Sequence, residues 1–323
     1  MFDSAAVKEL ISSGRRLLLA GDEHILATLP TGNWIGGTIP YFMTDKGGAF
    51  TKELIYVTEL PTDVTNAVVK VYDEHTISNV YTDMADNGLS FILVPALTKT
   101  HLAFALKAPT FPGFASHPLV GWVTGVDLAD FGKVPPRAFN GVTGKSHTEG
   151  AVVMHLTLAA NRSAEVDIVN LFTQGKGDSI RFSEDGFSAK QVIVNGVEQP
   201  FARYLKEKNI DTRLPLVANF AGAMINTGFQ GVDESTGAVS FYAPVFAGME
   251  YKLGETEGDY VSSFAKQLPQ AQENDLLFSC NCILNYLYAG LEGKRTGRVT
   301  GPVTFGEIAY QLLNQTMVYV KIA

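Results

Sequence analysis

Cysteine is nearly missing from this chain of 323 residues, which has only Cys280 and Cys282. A pair so close supplies no disulfide framework, because a bridge between them would strain the ring it closes. The cytoplasm is therefore the expected compartment. The same scarcity argues against zinc, which takes about four ligands in a structural site, and all six histidines lie at or before His155. No metal site and no cofactor is expected. Charge is also scarce, at 18% of residues, with a formal net charge of -8 and no long basic run. That composition excludes sequence-independent binding to nucleic acid or to an anionic membrane, both of which need clustered Lys and Arg. No apolar run reaches the roughly 18–20 residues of a spanning helix. The run after Arg15-Arg16 is too short for a secretory core, so no signal peptide is expected. Heptads, repeats and low-complexity tracts are absent as well. Gly144-Lys145-Ser146-His147 lacks both the Gly-x-Ser-x-Gly elbow and the full phosphate-loop spacing, and reads as loop.

What is present is apolar sequence, 46% of the chain. That is enough for a packed core, and the chain is long for a single one. Two domains are expected, residues 1–195 and 196–323, divided at Asn195-Gly196 where the pattern changes. β-branched segments at 52–58, 66–72, 89–95 and 119–126 predict strands, as does 24–29. Helical spacing predicts helices over 3–20, with an interruption at Ser12-Ser13-Gly14, over 77–87 and over 98–107. Ala160-Asn161-Arg162-Ser163 predicts a hairpin turn between strands 151–159 and 164–172. Beyond the boundary come a helix over 201–208 and strands at 214–218, 223–232 and 238–244, the last two joined by a turn at Asp233-Glu234. Tyr260, Val261, Phe264 and Leu268 follow helical spacing, and Glu255, Glu257 and Asp259 predict its solvated face. A buried strand is expected over 276–284. The fold class is α+β, with mixed β-sheets flanked by helices.

Two stretches near the C-terminal end combine apolar runs with a few polar groups. Residues 276–284 hold Cys280, Asn281 and Cys282; residues 301–320 hold Glu307 and then Asn314-Gln315-Thr316. A carboxylate, amides and thiols meeting at the edge of one buried sheet would form a small polar pocket on an apolar floor. Glu307 is the most suggestive residue, since a buried carboxylate must be paired or its pKa rises. It either accepts from a ligand amine or fastens a backbone turn or a neighbouring arginine. Asn314 and Thr316 suit a turn held by side-chain bonds. A nucleophilic thiolate needs a nearby base, and any Cys–His pair has to form across the two halves. Upstream, the glycine-rich 32–38 segment with Asn33, Trp34, Gly36 and Gly37 is either a binding loop or a glycine turn capped by core aromatics.

From about Asn195 onward the order of elements resembles the C-terminal FIST domain, named for F-box and intracellular signal transduction proteins. The matching pieces are Ala202-Arg203-Tyr204-Leu205 with Leu214-Pro215-Leu216, and Phe241-Tyr242-Ala243-Pro244 with Gly248. Phe278-Ser279-Cys280, Gly306-Glu307-Ile308 and Asn314-Gln315-Thr316 complete them. The resemblance implies an intracellular sensory module that binds a small ligand, with amino acids the implied class, and has no catalytic activity. It also implies strands at 303–308 and 316–320, although Phe305, Ile308, Ala309, Leu312 and Leu313 fit helical spacing. The family often places an arginine three positions after its strand cysteine; Ile283 stands there, leaving Arg295 or Arg298 as substitutes. The resulting expectation is a small polar metabolite in a cleft between the domains, held by Cys280, Asn281, Glu307 and Asn314. Asn33, Trp34, Gly36 and Gly37 form the opposite wall, and a signalling protein is the expected partner. The alternative is a hydrolase or transferase that uses Cys280 or Cys282 with a histidine from the N-terminal half.

Overall fold

The structure is a computed structural model that describes residues 1–323 except 221, 257, 259, 268–275 and 298. The expectations for Glu257, Asp259, Leu268 and Arg298 therefore lie outside the described residues. Strands dominate, in five sheets that are antiparallel or mixed, with a few short helices against them. The α+β class with mixed sheets is what the strand and helix signals predict.

Sheet I runs Lys145–His147, Ala138–Asn140, Trp34–Thr38, Leu17–Gly21, Tyr56–Glu59. Sheet II runs Gln311–Leu313, Glu307–Ala309, Leu119–Thr124, Gly88–Pro95, Ala151–Leu158, Val64–Tyr72. Sheet III runs Ala164–Val169, Met317–Ile322, Leu276–Cys282, Gly301–Thr304, Tyr41–Thr44, Gly47–Phe50. Sheet IV is built from strands between Thr173 and Glu255, and sheet V from Gly186–Ala189, Ala238–Val245 and Phe229–Asp233. In sheet II the parallel pair Gly88–Pro95 and Leu119–Thr124 is joined through the helix Lys99–Lys107. Thr98 caps that helix, its hydroxyl accepting from His101 N at 3.1 Å.

Sheets I, II and III share one core. Phe278 of sheet III stacks on Trp122 of sheet II at 5.7 Å and meets Phe91 edge-on at 5.3 Å. Leu18, Phe42, Val152 and Val320 belong to the same cluster. Sheets IV and V enclose a second core of Phe182, Phe201, Phe229, Phe241 and Tyr251, whose rings lie mostly 5.5–6.2 Å apart. Large aromatic surfaces make these contacts the main apolar gain in each core.

Several expectations need correction. The division at 195/196 is not followed by the sheets, because strands 307–309 and 311–313 pair into sheet II with strands from 64–158, and 276–322 shares sheet III with 41–50. The predicted hairpin at 160–163 is instead a crossing between sheets. Ala151–Leu158 pairs with Val64–Tyr72 and Gly88–Pro95, while Ala164–Val169 pairs with Met317–Ile322. The opening helix stops at Ser12, and Leu17–Gly21 is a strand buried on both faces, where a continuous apolar run is the expected pattern. Residues 24–29 form one helical turn, because Asp22 caps Glu23–Leu26. The 77–87 helix shrinks to the single turn Ile77–Asn79. Residues 303–308 and 316–320 are largely extended as the strand reading has it, not helical, but the stretch between them is no loop: Glu307–Ala309 and Gln311–Leu313 pair as a hairpin that folds back at Tyr310, whose φ is 61°. Among the described residues no helix is long and apolar enough to cross a membrane.

Candidate functional site

The polar residues near the C-terminal end do meet. Leu276–Cys282 lies between Gly301–Thr304 and Met317–Ile322, which sets Asn281 beside both Val303 and Met317. Glu307 is completely buried where its strand leaves Gly306. Its Oε2 accepts from Thr316 Oγ1 at 2.8 Å and from Thr316 N at 3.3 Å. The other carboxyl oxygen, Oε1, is buried without a hydrogen-bond partner. Asn314 Nδ2 approaches Cys282 Sγ at 3.7 Å, and its Oδ1 accepts from Gly228 N at 2.9 Å. Asn281 Oδ1 accepts from Asn285 Nδ2 at 3.0 Å, and Asn226 Nδ2 donates to the carbonyls of Asn314 and Gln315 at 3.1 and 3.3 Å. These bonds fasten the 314–316 connection between sheets II and III. They satisfy backbone groups that would otherwise be buried without partners.

Burial sets the electrostatics. It pushes the Glu307 carboxyl up to about 8, against the pull of the Thr316 bonds, so the group is mostly a neutral acid at pH 7. Burial also raises both thiols well above their ordinary range, and the Glu307 charge adds to it. Cys280 Sγ points to Gly121 O at 3.5 Å. Among the described residues no histidine bonds either sulfur. A cysteine nucleophile needs a thiolate and a base; here both thiols are buried and held protonated. A direct check is available: Ellman's reagent at pH 8 is expected to leave both thiols untouched until urea unfolds the protein. Prompt colour release from the native protein would show an accessible thiolate.

Where, then, is there room for a ligand? Cys280 and Asn281 border a void of only about 10 Å³, at the lower limit for a single water and far too small for a metabolite. Glu307 borders none of the cavities lined by the described residues. The glycine strand is also packed shut: Trp34 Nε1 donates to Pro30 O at 2.9 Å, and the indole stacks on Phe139 at 6.3 Å. A Cβ at Gly37 would sit 2.8 Å from Trp122 Nε1, so Gly37 is there to let strand and indole approach. Gly36 is buried in the same strand, and Asn33 is an exposed turn residue whose carbonyl accepts from Leu17 N. The opposite wall expected from Asn33, Trp34, Gly36 and Gly37 does not exist. Arg295 is exposed and supplies no buried cation.

Of the eight expected residues, Asn314 lines a ligand-sized cavity walled by described residues. That cavity has a volume of about 160 Å³. Helix Lys99–Lys107 contributes His101 and Leu102, helix Ile283–Tyr288 contributes Leu284 and Leu287, and sheet V contributes Phe187 and Phe241. No Asp, Glu, Lys or Arg is among the described residues that line it. His101 escaped the sequence reading, although its signal was present: it shares a helical face with Phe104, Ala105 and Ala108, all buried. A larger, polar cleft of about 360 Å³ lies beside Asp22, Lys52 and Asp127. Its charges are spent on one another. Lys52 Nζ pairs with Asp127 at 2.8 Å and Asp130 at 3.0 Å, and Arg137 pairs with Glu23 at 2.6 Å.

The model of a family of unknown function (DUF6976) matches residues 2–323. Nothing among curated proteins or solved structures matches the chain. The match over nearly the whole length overturns the FIST resemblance. The pieces that carried it, the strand cysteine and the Gly306-Glu307 pair, are packing and turn-fastening residues that a buried sheet edge selects on physical grounds alone.

Proposed function

The chain belongs to that family, DUF6976, whose function is unknown, and we propose from its own cavity that the protein binds a small, uncharged, largely apolar molecule without transforming it. The observation that carries this reading is the cavity of about 160 Å³ walled by aliphatic and aromatic side chains. Cavities of that size and lining accept a single apolar ring. An amino acid or other charged metabolite fits poorly, because its charges would lose hydration with no ion to meet them. The buried, protonated thiols speak for binding over catalysis.

The cavity lies between the helix of sheet II and the face of sheet V. An occupant touches both layers, which already share Phe104, Ala105, Ala243 and Phe187 in one apolar cluster, and would favour the arrangement in which both contact it. Leu102 is the residue to change, since it lines the cavity and is 40% exposed on its helix. Leu102→Trp is expected to fold normally and to fill the mouth. Thermal-shift screening of wild type against uncharged ring compounds should yield hits; a ligand at a hundred times its dissociation constant adds about 2.7 kcal/mol. Those hits should not shift the variant. Equal shifts in both proteins, or no hit at all, would remove this reading.

A further inference from the structure

We infer that the occupant of this cavity carries a hydrogen-bond acceptor of the carbonyl type, which His101 Nε2–H receives. The inference rests on the binding role just proposed and narrows its ligand to ring-sized, uncharged carbonyl compounds.

His101 is 6% exposed and lines the cavity. Its Nδ1 lies 3.3 Å from Leu97 N, which donates to it. That assignment leaves Nδ1 without a proton and puts the proton on Nε2. Nε2 is buried and has no partner. Buried donors are almost always satisfied, so an orphaned one asks for an explanation. Thr98 does not supply it: its hydroxyl accepts from the His101 backbone N and donates to Pro95 O. Phe187, whose ring centre lies 5.8 Å from the imidazole, offers only an apolar ring.

The other buried polar group in the wall is already engaged. Asn314 Oδ1 takes the Gly228 N–H, and its amide is directed at Cys282 Sγ. Gln230, the remaining polar residue of the wall, is exposed, so His101 Nε2 is the buried, unpartnered donor in a mostly apolar lining, the usual arrangement of a small-molecule pocket. Burial holds the imidazole neutral, with its pKa lowered to about 4. A neutral donor calls for a neutral acceptor, because an anion here would have no cation to balance it.

An isosteric pair of probes tests this. Acetophenone carries the acceptor, and α-methylstyrene replaces its oxygen with a methylene group of nearly the same shape. Titrations followed by NMR on histidine-labelled protein give both affinities and the Nε2–H resonance. Acetophenone is expected to bind wild type about fivefold to tenfold more tightly, the ordinary yield of one neutral hydrogen bond. It should also move the Nε2–H signal downfield, while α-methylstyrene leaves it in place. In His101→Phe the two probes should bind alike. Equal affinities in wild type, or a preference that survives His101→Phe, would refute the role of His101 and leave the cavity reading standing. Failure of both probes to bind wild type would overturn the two together. Should His101→Phe fail to fold, the wild-type resonance decides: an Nε2–H signal that acetophenone does not move refutes the bond.

Discussion

Raising the pH from about 4.5 to about 8 is expected to destabilise the folded protein by about 5 kcal/mol through Glu307 alone. The sign follows from where the proton sits. In the unfolded chain the carboxyl ionises with an ordinary pKa near 4.5, whereas the folded, buried group holds its proton up to about 8. Between those values the native state binds more protons than the unfolded state, so stability falls as pH rises, by about 1.4 kcal/mol per unit. Below the window both states are protonated and the native state is at its best. Above it both are ionised and the loss is complete. Glu307→Gln should abolish this slope. The amide keeps the shape of the neutral acid, its oxygen can accept from Thr316, and it does not titrate. Urea unfolding of both proteins at pH 5, 7 and 9 measures the difference, which should swing toward the variant by several kcal/mol. Parallel pH profiles would mean that Glu307 does not hold its proton inside the fold. Binding in the cavity should be unaffected, because Glu307 does not line it.

Gly121→Ala is expected to prevent folding, or to cost more than about 4 kcal/mol, a loss confined to the most disruptive substitutions. Gly121 is paired with Ile92 across the parallel strands of sheet II, and its φ is 154°. A Cβ built there would lie 1.9 Å from Ile92 O and 2.8 Å from Ile92 C. Those are backbone atoms of a central strand, so neither can step aside without breaking the ladder. The neighbouring Trp122 stacks on Phe278, and Cys280 Sγ approaches the Gly121 carbonyl, so a shift would propagate into sheet III. Gly177→Ala is the control. Nothing lies within 4 Å of a Cβ at that position, and its φ is not positive. Soluble yield and thermal melting should separate the two variants sharply. A Gly121→Ala protein that melts within a few degrees of wild type would show that the strands can part there.

The strands themselves were legible. Gly88–Pro95, Leu119–Thr124 and Ala151–Leu158 are apolar runs bounded by turns, and each folds where the pattern places it. Their partners were not legible, since pairing depends on contacts far apart in sequence. The strands on either side of Ala160-Asn161-Arg162-Ser163 have ideal hairpin spacing, yet each finds a better-matched neighbour in a different sheet. The polar cluster was half legible. Residue type brought Cys282, Glu307, Asn314 and Thr316 together, and they do touch. What covers them was not readable, because Asn226 and Gly228 arrive from a distant hairpin to close the space. The same physics, an apolar run with a few polar residues, describes an open pocket and a sealed seam equally well. His101 is the converse case: its spacing from Phe104, Ala105 and Ala108 carried a signal of burial that went unread, and only the structure reveals that its ring nitrogen lacks a partner.

Sheet III has a bearing on how the chain is made. Its strand Met317–Ile322 sits between Ala164–Val169 and Leu276–Cys282, so neither neighbour can pair fully until residue 322 is available. During synthesis the earlier strands must wait with apolar faces uncovered, and long-range closure of this kind is slow and invites aggregation. Sheet III should therefore stay incomplete, and the nascent chain exposed to aggregation, until residues 317–322 have left the ribosome.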